Sequence, residues 1–234
     1  VLSRQAVTLA TRGNYNNEIG VPLTLAGLGE QHRFAVIEMG CGQPGDIEYL
    51  AEIGTPDVAV VTNAGPAHLE RLGSIEGVAR TKGELFSALG PEGVAVINRD
   101  DRYFDYWNGL VADRRRFSFG LSEQADVRLE RRGDAEFVIC PDGEFRLELA
   151  LPGAHNRLNA LAATAAALAL KAPLTAIAAG LASVEAGATV SARNGLRLDA
   201  DRRQLQRQSG VAVRGPAGVV GAPWSALAGV GRHG

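Results

Sequence analysis

The sequence has little of what marks secreted, membrane-spanning or nucleic-acid-binding proteins. Its 234 residues include two cysteines, Cys41 and Cys140, which form neither a disulfide framework nor a metal-binding spacing. No apolar run reaches the ~18–20 residues of a membrane span, and the first residues lack a signal-peptide pattern. The net charge of -2 gives no electrostatic attraction to nucleic acid or to an anionic membrane. We therefore expect a protein of the reducing cytoplasm that binds neither nucleic acid nor membranes.

What the sequence does contain is a series of short β-branched apolar runs, separated by loops and helical stretches. The runs over 34–38, 58–62 and 94–98 have the length and the flanks of buried strands. Strand–helix repeats at this spacing predict right-handed crossovers and a mainly parallel sheet in a three-layer α/β fold. Over 116–151 the pattern changes to short alternating runs with Gly-Asp and Asp-Gly turns, which predicts a small antiparallel β meander.

Polar side chains stand where these runs end: Glu38, the pair Thr62-Asn63, and Asn98. In open α/β sheets, ligands bind beyond the carboxyl ends of the strands. A carboxylate beside a glycine loop there can hold Mg²⁺ directly or through water. Glu38 has the alternative of capping a nearby helix or pairing with a base. The sequence therefore predicts a site at this edge of the sheet.

Three helix starts and one loop add candidates. Asp46 is a possible N-cap for a helix over 47–53, and the segment after 62 carries His68 and then Lys82 on a helix. Taken singly, a histidine is more often structural, and a helical lysine is more often solvated. A helix that follows Pro152-Gly153 carries Asn156 and Asn159 on one face of its first turns, where anions and ligand oxygens are favoured. The loop over 11–20, rich in asparagine, is either an ordinary polar turn or a substrate loop.

Five motifs in order carry a family resemblance over 1–184: GNYNNEIGVPLTL, EMGCGQPGDI, TNAGPAHLERLGSIEGVARTKGE, NRDD and PGAHNRLNA. Together they resemble the central ATP-binding domain of the bacterial Mur ligases. The resemblance implies an ATP- and Mg²⁺-dependent amide ligase of peptidoglycan synthesis. Such an enzyme joins D-alanyl-D-alanine to UDP-N-acetylmuramoyl-tripeptide through an acyl phosphate, and we expect it to be a monomer.

The same resemblance assigns roles to individual residues. Glu38 and His68 would hold Mg²⁺, and Lys82 would become a metal ligand when carbamylated; these three would form the catalytic group. Asn156 and Asn159 would contact ATP. The residues expected to face the substrate are Asn14, Asn17, Thr62 and Asn63.

The sequence also departs from the family pattern. The phosphate loop, G-x-x-G-K-[ST], is absent, so 1–184 would be a central domain without its phosphate-binding nest, and we expect this chain to be inactive alone. Two alternatives stay open: another ligase of the superfamily, such as a folylpolyglutamate synthase, and a non-catalytic nucleotide-binding fragment.

The stretch over 185–234 differs in composition from the rest. After Ala186 it has no Lys, Glu, Phe or Tyr, and no clean hydrophobic period. With suitable synonymous codons, the segment ADRRQLQRQSGV can be read one base out of frame as Leu-Ile-Asp-Asp-Ser-Tyr-Asn-Ala-Asn-Pro-Gly, which resembles the start of the family's third domain. We therefore expect a frameshifted, ill-packed tail, with the change of frame near 183–196.

Overall fold

A computed structural model of the chain describes residues 1–184 and 209–215. In this part the chain forms a nine-stranded mixed sheet with helices on both faces. The strands are β1 (Thr8–Ala10), β2 (Phe34–Gly40), β3 (Val58–Val61), β4 (Val94–Asn98), β5 (Arg115–Gly120), β6 (Val127–Arg132), β7 (Ala135–Cys140), β8 (Gly143–Arg146) and β9 (Ser209–Arg214). The helices are α1 (Gly20–Leu25), α2 (Asp46–Gly54), α3 (Leu69–Leu72), α4 (Ile75–Ser87), α5 (Phe104–Leu110), α6 (Ala154–Ala169) and α7 (Leu174–Ala182), after a 3-10 helix over Leu2–Arg4. None of these helices combines the length and the apolar character needed to cross a membrane.

The sheet is mainly parallel, as the strand–helix repeats predict. Its strand order is β1-β2-β9-β3-β4-β5-β6-β7-β8. The pairs β1–β2, β3–β4, β4–β5 and β5–β6 are parallel, and β9 runs antiparallel to both β2 and β3. Strands β1 to β6 therefore point the same way, and their carboxyl ends meet at one edge of the sheet.

Two hydrophobic cores lie on the two faces of this sheet, which gives the predicted three layers. One core joins Ile37, Ala59 and Ile97 of the strands to helices α1, α2, α4 and α5. The other joins Val60 and Val96 to helices α6 and α7. Every residue of β3 and β4 is buried, because strands covered on both faces are apolar throughout.

The antiparallel meander is smaller than the sequence suggests. Strands β6, β7 and β8 form it, and its two turns fall where the glycine signals predict. The run at the start of the expected meander is instead β5, which pairs in parallel with β4, with Val94 opposite Arg115. The reason is that α5 precedes β5 as a crossover helix, so β5 extends the parallel sheet.

Strand β9 differs from the expectation of an ill-packed tail. It lies between β2 and β3, with Val36 opposite Val213 on one side and Val58 opposite Val213 on the other. Its small residues permit this placement: a Cβ on Gly210 would lie 2.9 Å from the Leu85 side chain. The segments 185–208 and 216–234, and with them the reading-frame hypothesis, lie outside the described residues.

Candidate functional site

Glu38 lies near the carboxyl end of β2, where the loop after β1 folds over it. The Glu38 backbone amide donates to Oγ1 of Thr11 (2.9 Å), and Asn16 Nδ2 donates to Glu38 Oε1 (2.7 Å). The Gly40 amide in turn donates to the Asn16 carbonyl (2.7 Å). Asn16 therefore fixes both the carboxylate and the end of its strand.

The two neighbouring asparagines that were predicted to face substrate lie elsewhere in this loop. Asn14 is exposed. Asn17 Oδ1 accepts hydrogen bonds from the amides of Gly20 (2.9 Å) and Ile19 (3.3 Å), and so starts α1. Their substrate role stays a prediction, whereas the contact of Asn16 with Glu38 was not foreseen.

Three side chains hold the backbone of the loop that follows β3. Asn98 Nδ2 donates to the Thr62 carbonyl (2.8 Å), and Lys82 Nζ donates to the Asn63 carbonyl (2.5 Å). Asp101 Oδ2 accepts from the Ala64 amide (2.7 Å). The ends of β3 and β4 are thus bonded together, and the end of β2 lies at the same edge with β9 in between, as the strand-end rule predicts.

Lys82 is a buried basic side chain at this edge. It is fully buried on α4, and burial lowers its pKa to about 8, because an ammonium loses its hydration there. Cys41, when it is ionised to the thiolate, and the Asp101 carboxylate oppose this shift by favouring the charged form. The amine therefore loses its proton more readily than that of a solvated lysine.

His68 is the third member of the predicted catalytic group. It is exposed and precedes α3 in a left-handed conformation, with φ of 49°. Among the described residues, no group of three or more His, Cys, Asp or Glu side chains could hold a metal ion. The metal-binding roles of Glu38, His68 and a modified Lys82 therefore stay predictions.

The glycine loop after Glu38 is held by two carboxylates. Asp46 Oδ2 accepts from the amides of Gly42 (2.8 Å) and Gln43 (2.9 Å), which precede α2. Asp46 is the first helical residue, not the predicted N-cap, because Gly45 takes the N-cap position in a left-handed conformation. Glu84 of α4 reaches the start of α2 instead, and burial raises the pKa of its carboxyl group.

The second predicted region is the start of α6, which begins at Ala154 as the sequence indicates. Asn156 Nδ2 donates to the Pro152 carbonyl (2.8 Å), and Asn159 is exposed. Between them, Arg157 Nε lies 2.8 Å from both carboxylate oxygens of Glu136 on β7. This guanidinium lowers the pKa of Glu136, so the meander holds the first turn of α6 by an ion pair.

The site residues that sequence reasoning left without a role are Asn16, Cys41, Glu84 and Asp101. Their positions were conspicuous: Asp101 follows β4 in the NRDD motif, and Glu84 comes two residues after Lys82. The hydrogen bonds of Asn16, Glu84 and Asp101 reach residues 22 to 39 positions away. Such contacts depend on how the helices and strands pack against each other, so a local sequence pattern does not predict them.

Comparison with known proteins agrees with this geometry. Residues 1–167 match the family model of the Mur ligase middle domain. The UDP-N-acetylmuramoyl-tripeptide–D-alanyl-D-alanine ligase of Haemophilus influenzae is 41% identical over 175 residues, which are 74% of this chain and 38% of that protein. The same-named ligase of Escherichia coli is 39% identical over 192 residues, 80% of this chain and 42% of the relative.

Solved structures give the same result. The structure of MurF from Acinetobacter baumannii has a TM-score of 0.73 and 36% identity, covering 80% of this chain and 42% of that one. The MurF ligase from Thermotoga maritima, solved in complex with ADP, has a TM-score of 0.64 and 28% identity. This chain thus spans less than half the length of the relatives that it matches. The chain belongs to the Mur ligase family, and residues 1–167 are its middle domain.

Proposed function

We propose that this chain supplies the ATP-using domain of a ligase that joins D-alanyl-D-alanine to UDP-N-acetylmuramoyl-tripeptide. The observation that carries the proposal is Lys82, a buried amine of lowered pKa that is bonded to the loop after β3, at the carboxyl edge of the sheet. The relatives named above carry this activity in their names. In the reaction, a substrate carboxylate takes the γ-phosphoryl group of ATP, and the amine of D-alanyl-D-alanine then displaces phosphate.

Lys82 has the properties that carbamylation requires. The neutral Nζ attacks the carbon of CO₂, so that a nitrogen–carbon bond forms while one C=O π bond opens. One proton leaves the nitrogen, and the amine becomes a carbamate whose single negative charge is shared by two oxygens. Oxygen anions are the ligands that Mg²⁺ prefers, and Glu38 supplies another carboxylate at the same edge. The described residues therefore fit Mg²⁺ with Lys82 in its carbamylated form. When bound, the ion would neutralise charge on the phosphate oxygens during transfer.

The other predicted residues have supporting parts in this proposal. Asn156 and Asn159 lie in the first turns of α6, where a helix start favours phosphate and ligand oxygens. Asn14, Asn17, Thr62 and Asn63 would face the nucleotide-sugar substrate. Because two cysteines without a disulfide framework suit a reducing compartment, we place the enzyme in the cytoplasm. We also expect a monomer, and light scattering tests the oligomeric state.

The activity is tested by grafting residues 1–184 into the Escherichia coli ligase in place of the matched segment. We expect ATP-dependent phosphate release that requires D-alanyl-D-alanine and is not supported by L-glutamate. Lys82→Ala should reduce the rate by about tenfold to hundredfold, the range found when groups of a metal site are removed. Lys171→Ala, at an exposed lysine, is the matched control. A folded chimera that releases no phosphate, or that prefers L-glutamate, would overturn the proposal.

Carbamylation is tested separately by labelling the chain with ¹³C-bicarbonate. A carbamate carbon signal is expected in the wild-type chain and in Lys171→Ala, and not in Lys82→Ala. A signal that persists in Lys82→Ala, or that is absent from all three proteins, contradicts a modified Lys82.

The tail over 185–234 is proposed to be read out of the frame of its family. Its composition supports this, together with the out-of-frame match to the family's third domain. Resequencing the gene across codons 183–196 tests it. A sequence that stands as given rejects the proposal, and a single-base correction supports it.

A further inference from the structure

Helix α4 is bonded to both loops that follow β2 and β3. Lys82 Nζ donates to the carbonyl of Asn63, in the loop after β3 (2.5 Å). Two residues further on, the Glu84 carboxylate accepts from the amides of Gly45 (2.9 Å) and Glu48 (3.2 Å), at the start of α2. One helix thus connects the loop that carries His68 to the loop that follows Glu38.

The bonds of Glu84 replace a cap that α2 lacks. The first amides of a helix have no partners within the helix, and the N-cap residue Gly45 has no side chain to offer. Asp46 and Glu48 in this first turn add negative charge close to Glu84. The carboxylate stays there in spite of this repulsion, because two amides and the positive end of the helix dipole bind it.

The loop before α2 is bonded to the first residue of α2. Asp46, the first residue of the helix, is bonded to the amides of Gly42 and Gln43. Further upstream, the Gly40 amide is bonded to the Asn16 carbonyl, and Asn16 also binds the Glu38 carboxylate. A displacement of the start of α2 would therefore reach the strand end that carries Glu38.

We propose that Glu84 is a positioning residue that fixes the loop after Glu38 relative to Lys82, an inference that rests on the ligase site proposed above. Glu84 does not touch the reacting groups in this role. It sets the distance between two of them, since its helix holds Lys82 and its carboxylate holds the loop. Residues that do not bind the ligand but hold the residues that do so determine how precisely the ligand-binding groups are placed.

The test compares Glu84→Leu and Glu84→Gln in the full chain by ¹⁵N NMR. Glu84→Leu removes both acceptor oxygens, so we expect amide exchange at Gly45 and Glu48 to become about tenfold faster, as for the loss of a helix cap. We also expect the amide signals of Asn63 and Ala64, in the other loop, to shift. Glu84→Gln keeps one acceptor oxygen and should give intermediate changes.

The matched control is Glu76→Leu on the same helix, where Glu76 is exposed and pairs with Arg80. Changes confined to 42–49 would mean that Glu84 is only a helix cap, and would overturn the proposal. So would equal changes in Glu76→Leu. If Glu84→Leu does not fold, Glu84→Gln decides by the same signals. Because the readout needs no turnover, an inactive chimera would reject the ligase function without touching this result.

Discussion

At the scale of single residues, Lys82 has the environment that separates it from an ordinary helical lysine. It is fully buried, and its ammonium is bonded to one backbone carbonyl and faces Cys41 and Asp101. Burial makes the charged form expensive, whereas the bond and the two neighbours favour it. The balance of these effects leaves Lys82 with a pKa of about 8, well below that of the same amine in the unfolded chain.

The stability of the folded chain should rise with pH in a window that Lys82 sets. The unfolded amine keeps its proton up to about pH 10.5, whereas the folded amine loses it near pH 8. Between these values the unfolded state binds more protons, so raising the pH favours folding. From pH 7 to 9.5, wild type should gain about 2 kcal/mol of unfolding free energy relative to Lys82→Met.

Urea unfolding at several pH values measures this difference. Both proteins are compared in a Cys41→Ser background, because Lys82 lowers the pKa of the Cys41 thiol and its loss would shift that titration as well. Lys171→Met, at the exposed lysine, controls for the loss of a lysine as such. A difference between wild type and Lys82→Met that stays flat from pH 7 to 9.5 would show that Lys82 is not buried as a titrating amine.

Sequence reasoning at this scale succeeds where position along a strand decides the outcome. Glu38, Thr62 and Asn98 were predicted at one edge because parallel strands end together, and the register confirms this placement. It fails where side chains meet across elements. The contact of Asn16 with Glu38 spans 22 residues, and nothing in the asparagine-rich loop distinguishes Asn16 from its neighbours.

At the scale of elements, the start of α4 depends on close contact with the end of α3. Ser74 caps α4, its side chain accepting from the Gly77 amide (3.0 Å). A Cβ on Gly77 would lie 1.9 Å from the Leu72 carbonyl oxygen, so only glycine fits there. This turn sets the path of the helix that carries Lys82.

Gly77→Ala should therefore lower the unfolding free energy by about 2–3 kcal/mol, the usual cost of overpacking. Gly109→Ala is the matched helical control, because a Cβ on Gly109 of α5 meets nothing within 4 Å. It should be neutral or stabilise by up to about 1 kcal/mol, since alanine favours a helix over glycine. Equal effects of the two substitutions in chemical unfolding would contradict the packing described for α3 and α4.

Element boundaries were predicted closely where a single local rule applies. The helix after Pro152-Gly153 begins at Ala154, one residue past the glycine. At α2 the rule misplaced the cap: Asp46 is suited to an N-cap position, but Gly45 takes it, and Glu84 supplies the carboxylate from another helix. A cap that comes from a distant element leaves no trace in the local sequence.

At the scale of the whole molecule, the sequence predicts that β2, β3 and β4 run parallel, but it does not predict what lies at the centre of the sheet. The strand–helix repeats account for these three strands, whereas the run of β5 was expected in the meander and pairs with β4 instead. The place of β9 between β2 and β3 joins residues about 150 or more positions apart. Its sequence, SGVAVR, is a short alternating run with two small residues, which suits many positions in a sheet and selects none.

The position of β9 can be tested directly. Val213 is 2% exposed and packs in the core shared with α6 and α7, so Val213→Asp would bury a carboxylate among apolar side chains. We expect it to lower the unfolding free energy by about 3–5 kcal/mol, in the same transition as the rest of the sheet.

Val7→Asp is the control, because Val7 is 53% exposed, and it should change stability by no more than about 0.5 kcal/mol. If Val213→Asp unfolds at the same urea concentration as wild type, β9 does not complete the sheet in solution. The segment would then be ill-packed, as the composition of 185–234 predicts, and β2 and β3 would lack the strand that joins them.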